Sequence, residues 1–145
     1  MKSFRAVAAL LLAATVVVGI SACASTPGAG SGGSLSAVED YSGLPEGMVG
    51  LPQNPSGEPQ LYWLQDGAQI GITLWGSSTC PPIVESLTQT SSNAFTATQA
   101  ELPAKPCTRD LVPHTTVFTT PSDTATSSDV TIVLDGTSLT LPGRR

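Results

Sequence analysis

In 145 residues the chain has one histidine, three cysteines, two tryptophans, two tyrosines, three phenylalanines and six lysines and arginines. Each scarcity excludes something. With His114 as the single histidine and no Cys-x-x-Cys pair, zinc lacks a credible ligand set and a redox dithiol lacks its motif, so no metal or other cofactor is expected. The few cations are scattered, and phosphate binding needs clustered Lys and Arg, so nucleic acid is excluded as a partner. There is no Gly-x-Ser-x-Gly elbow to present a nucleophilic serine. Nor is there an apolar run of the about 20 residues that a helix needs to cross about 30 Å of hydrocarbon.

The longest apolar run, Ala6 to Ile20, has roughly 15 residues and follows two cations, Lys2 and Arg5. That order and length predict an export signal rather than a spanning helix. The run ends in Ile20-Ser21-Ala22-Cys23, which resembles the bacterial lipobox: a branched apolar residue, two small residues, then cysteine. The resemblance implies that residues 1–22 are a signal peptide, that the Cys23 thiol takes a diacylglyceryl group, and that cleavage falls between Ala22 and Cys23. It also implies a lipoprotein, palmitate-bearing, on the extracytoplasmic face of the cell membrane. Each buried methylene is worth about 0.8 kcal/mol, so two or more acyl chains make a durable anchor.

Loss of residues 1–22 removes Lys2 and Arg5 and leaves four basic residues against eleven acidic ones, a net charge near −7. Spread along the chain, these carboxylates favour solubility more than a basic partner. Residues 23–59 begin with ASTPGAGSGGSLS, small and glycine-rich without apolar periodicity, which reads as a tether after the lipidated Cys23. The stretch from Ala37 to Pro59 adds Tyr41, Leu44, Met48, Val49 and Leu51 and is expected to lie partly against the domain as irregular chain.

Residues 60–145 are expected to form one small all-β domain, since the length allows a single core. Leu61–Gln65 and Gln69–Trp75 flank Asp66-Gly67, and Val130–Leu134 and Leu139–Leu141 flank Asp135-Gly136. Asp-Gly between alternating apolar runs is a strong hairpin signal because the turn needs positive φ. Weaker strands are read at Val84–Gln89, Ala94–Ala100 and Thr115–Thr120, with a turn at Ser91-Ser92-Asn93. For Ile83–Gln89 a short helix begun by Pro81-Pro82 is the alternative. The pattern predicts a small antiparallel β-sandwich or open barrel of about six or seven short strands.

With Cys23 lipidated, Cys80 and Cys107 are an even pair in an exported chain, and a disulfide is the expectation. Closing a loop of about 28 residues is worth about 3.5 kcal/mol in the chain-entropy model. Around these cysteines, Trp75-Gly76-Ser77-Ser78-Thr79-Cys80-Pro81-Pro82 and Cys107-Thr108-Arg109-Asp110-Leu111-Val112-Pro113 resemble a family of small lipoproteins from high-GC Gram-positive bacteria. The resemblance covers roughly residues 60–120 and extends to the layout of lipobox, tether and Trp-Leu-x-Asp-Gly hairpin. It brings no activity with it.

Two groups are candidate sites. Ser77, Ser78, Asp110 and His114 hold the residue types of a hydrolytic triad, but the spacing and the absent elbow favour a turn in which hydroxyls cap backbone donors, and no enzyme is expected. Tyr62, Trp63 and Trp75 lie on the first hairpin, and exposed rings there would suit a glycan or a protein, while buried ones would fill a core short of large side chains. Tyr62 and Trp63 must point to opposite faces. Composition and layout together predict a non-catalytic binding or accessory module at the cell envelope, contacting wall material or an exported protein. The second reading is a small inhibitor of an envelope lytic enzyme or protease.

Overall fold

A computed structural model describes residues 32–48 and 56–145. The expected signal peptide, Cys23 and most of the glycine-rich stretch lie outside the described residues. Two sheets pack face to face. Strands β1 (Ser34–Ser36), β5 (Val84–Ser91), β6 (Ala94–Gln99), β8 (Val130–Leu134) and β9 (Thr137–Leu141) form one, in the order β1-β5-β6-β8-β9. The other has β2 (Glu39–Ser42), β7 (Val112–Thr119), β4 (Gln69–Gly76) and β3 (Gln60–Leu64), in the order β2-β7-β4-β3. The chain is an all-β sandwich with a Cys80–Cys107 disulfide.

Alternation explains the core. In β4, Ile70, Ile72 and Leu74 turn inward against Phe118 of β7, while Val84, Leu87, Phe95, Ala97, Val130, Ile132 and Leu134 meet them from the opposite sheet. Burial of each such side chain is worth about 1.5–3 kcal/mol. The β8–β9 turn is the expected two-residue Asp135-Gly136, both with positive φ, between the paired residues Leu134 and Thr137. The β3–β4 turn is longer. Leu64 pairs with Gln69, and Gln65, Asp66 and Gly67 all take positive φ in a short 3-10 turn. Val84–Ser91 is a strand, not a helix, and its register shift between Val84 and Ser86 brings both Val84 and Leu87 into the core.

Three expectations are corrected. Residues 60–145 form seven strands, within the six or seven expected, but residues 34–42, assigned to the tether, add β1 and β2. β1 offers Leu35 to the core, and β2 offers Tyr41 to the opposite surface of its sheet and Asp40 to His114, too few apolar side chains to read as alternation. The pairing is not wholly antiparallel: β6 and β8 run parallel, since the chain leaves β6 for the other sheet and returns beside it. Finally, β7 begins at Val112 and runs through Pro113. Proline is tolerated there because Pro113 lies just past the end of β2, where its carbonyl accepts from the Gly43 amide at 2.9 Å and the Gly43 carbonyl accepts from the Thr115 hydroxyl in place of a backbone N–H.

The two open sides of the sandwich are closed by chain ends. On one side the strap β1–β2 crosses between sheets, with the Val38 amide donating to the Val117 carbonyl at 2.8 Å. On the other, the Trp63 indole N–H donates to the Pro142 carbonyl at 2.8 Å, and Arg144 bonds Asp66.

Candidate functional site

The disulfide end of the sandwich gathers most of the residues singled out by the sequence. The chain leaves β4 at Gly76, where a Cβ would lie 2.7 Å from the Pro82 ring, so the turn needs glycine. Ser77 Oγ then accepts from the amides of Thr79 and Cys80 at 3.2 and 3.3 Å. Across the disulfide, Thr79 Oγ1 accepts from the Thr108 amide at 3.0 Å, the Ser77 and Thr108 hydroxyls meet at 2.7 Å, and Asp110 accepts from the Ser78 amide at 3.1 Å. Asp110 also accepts from the Thr108 hydroxyl. These bonds stitch the two cysteine segments together beside the covalent link.

Donation from Ser78 and Thr108 lowers the Asp110 carboxyl from its ordinary value to about 2. A carboxyl whose folded value lies below its unfolded one adds stability above the unfolded pKa and loses it as pH falls through the folded one. The stitch therefore weakens between about pH 4 and pH 2. In melting curves across that range Asp110→Asn should show a shallower pH dependence than the parent; equal slopes would remove Asp110 from the account.

His114 does not join Ser77 and Ser78. It sits on β7, 5 % exposed, and its Nε2 lies 2.5 Å from Asp40 Oδ1 on β2, while Nδ1 is buried with no hydrogen-bond partner among the described residues. The Ser77 and Ser78 hydroxyls are instead engaged by Thr108. Of the four candidate triad residues, three meet and the histidine is spent on holding the strap. Among the described residues, no group of three or more His, Cys, Asp or Glu is placed to hold a metal ion.

The three rings do not form one stripe. Trp63 points inward, half-buried against the core. Tyr62 and Trp75 are on the opposite surface of the same sheet. Trp75 borders two adjoining clefts at the disulfide end. One, of about 200 Å³, is lined by Trp75, Ser77, Cys80, Pro82, Leu102 and Cys107. The other, of about 280 Å³, shares Trp75, Pro82 and Gln99 and extends to Asp135 and Leu139.

Sequence reasoning missed the segment that frames these clefts. Every residue from Glu101 to Leu111 is exposed, including Leu102 at 57 % and Leu111 at 50 %. Leu102 lines a cleft with Trp75, and Leu111 packs beside Gly57 next to Trp75. The loop is braced rather than loose: the disulfide pins Cys107, Pro103 and Pro106 fix two φ angles, and the Lys105 amide donates to the Pro103 carbonyl at 2.8 Å. It also carries Lys105 and Arg109, two of the four cations among the described residues. Apolar residues without alternation, between prolines and beside half of the available cations, were the legible signal.

A second concavity, of about 280 Å³, lies on the outer surface of the four-stranded sheet near the Gln65–Gly67 turn. Glu39, Tyr41, Pro45, Glu46, Leu64 and Gln69 line it. Burial and then the Glu39 charge raise the Tyr41 phenol above its ordinary value, and burial raises that of Tyr62.

No family model, curated protein or solved structure matches the chain.

Proposed function

We propose that the protein is a lipid-anchored, non-catalytic binding module on the extracytoplasmic face of the cell membrane, whose contact face is the braced loop Glu101–Leu111 with Trp75 behind it. The observation that carries the reading is the exposure of Leu102 and Leu111, two large apolar side chains held beside a tryptophan on a loop that a disulfide and two prolines stiffen. A contiguous apolar patch with a polar rim is the usual make-up of a protein-contact surface, and pre-organisation reduces the ordering cost of binding. Membrane attachment rests on Ile20-Ser21-Ala22-Cys23 and the preceding apolar run.

The inhibitor reading draws on the same loop. A convex, Pro-flanked segment suits insertion into an enzyme's cleft, where a stiff backbone resists the rearrangement that substrates undergo. Both readings make the loop the contact, and one experiment tests that. Leu102→Asp with Leu111→Asp should reduce crosslinked protein adducts in intact cells at least tenfold, with the melting temperature unchanged because both side chains face solvent. Full retention of the adducts would place the contact elsewhere. Loss of a lytic enzyme's inhibition in the same variant would select the second reading.

A further inference from the structure

We infer that the braced loop of one molecule docks in the outer-sheet groove of a second copy, so that the protein self-associates head to tail on the membrane. The inference rests on the reading of the loop as contact face and names its partner. The two surfaces match in charge and apolarity. The groove presents Glu39 and Glu46, both exposed and neither in an ion pair among the described residues, over a floor that includes Tyr41, Pro45 and Leu64. The loop presents Lys105 and Arg109, likewise exposed and without an ion pair among the described residues, between Leu102 and Leu111; of its two carboxylates, Glu101 lies at its start and Asp110 is turned to the Ser78 amide and the Thr108 hydroxyl. Of the other two described cations, Arg144 is engaged with Asp66 and Arg145 lies beyond β9, so the loop holds two of the three cations outside an ion pair among the described residues.

Place in the fold excludes closure within one molecule. Strand β4 runs from Gln69, which lines the groove, to Gly76, which borders the disulfide-end cleft. Eight strand residues separate the two sites by about 24 Å. A surface at one end meeting a different surface at the other is a heterologous contact, which propagates as a ring or an open row. One loop in one groove buries less than the about 1,200 Å² of a stable interface, so the contact is weak in solution. Anchored copies share a surface and a common orientation, which raises their effective concentration. An anionic envelope polymer would also attract the two cations, but it would leave Leu102 and Leu111 unused.

The test uses the full-length protein in membranes, with p-benzoylphenylalanine replacing Ala104 and Lys105 left in place. Illumination should give an adduct of twice the monomer mass, its crosslinked peptide mapping to residues 39–46 or 64–69. Lys105→Glu with Arg109→Glu should lower its yield at least fivefold, and so should Glu39→Lys with Glu46→Lys. Co-expression of the two reversed forms, with the benzophenone on the Lys105→Glu form, should restore it, which misfolding cannot do. A self-adduct indifferent to both reversals, or one not restored by mixing, overturns the inference. Adducts to a different protein alone overturn it while leaving the loop as contact face, and a polysaccharide adduct or none overturns both.

Discussion

Removing the Cys80–Cys107 bond, by reduction or as Cys80→Ala with Cys107→Ala, should lower the melting temperature by about 15–25 °C. The two residues lie 27 apart in sequence. Closing a loop of that size removes about 3.5 kcal/mol of unfolded-state entropy, and for a domain near 100 residues each kcal/mol corresponds to about 4–8 °C. Net stabilities run to only about 5–15 kcal/mol, so the bond is a large share. Its ends differ: Cys80 is 2 % exposed, while Cys107 sits among exposed residues, so a reductant has access from the loop side. A second consequence concerns the contact face. With the covalent brace gone, the loop is held to the turn after β4 by exposed hydrogen bonds from Thr108 to Ser77, Ser78 and Thr79 and from the Ser78 amide to Asp110, each open to competition from water. Adduct formation from the loop should therefore fall on reduction even at temperatures where the sheets persist. An unchanged melting curve after verified reduction would contradict the role given to the bond.

Phe118→Ala should be nearly as damaging, at about 3–5 kcal/mol in urea titration. Phe118 has no exposed surface and lies on β7, the strand that joins the strap β2 to the first hairpin, directly opposite Ile70. Deleting its ring leaves a cavity between the sheets that Ile70, Phe95 and their neighbours cannot collapse to fill without leaving their rotamers. The contrast is informative. Leu102→Ala, at 57 % exposure, should change stability by less than about 0.5 kcal/mol, because it removes little buried area. Equal costs at the two positions would mean that the loop, not the sandwich, carries the stability.

The fold was legible where physics is local. Period-two alternation marked Ile70-Ile72-Leu74 and Val130-Ile132-Leu134, and Asp135-Gly136 marked its turn, since both residues need positive φ. The cysteine pair was legible by parity. What stayed hidden depends on distant partners. Strands β1 and β2 hold only Leu35 and Tyr41 as apolar or aromatic side chains turned to the fold, and exist because β5 and β7 offer them edges. The parallel β6–β8 pair follows from a crossing between sheets that no single segment encodes. The candidate site was half legible. Ser77, Ser78 and Asp110 do meet at the disulfide, as hydroxyl caps, and Trp75 does border a cleft. Alternation separates Trp63 from Tyr62 without saying which of them faces the core, and in the fold it is Trp63. The loop 101–111 was overlooked because exposure is a property of the assembled sheets.

The strap also bears on attachment. It leaves ten residues, 24–33, between Cys23 and the first strand, and a chain of ten spans at most about 35 Å when fully extended. Under the proposed anchor on Cys23, the domain works close to the bilayer. Everything proposed about function depends on that anchor, and one measurement tests it most directly. Cells fed a labelled fatty acid should incorporate label into the wild-type chain and none into Cys23→Ala, which should also leave the membrane fraction. Label persisting in Cys23→Ala, or a wild-type chain that takes up none, would contradict the anchored module.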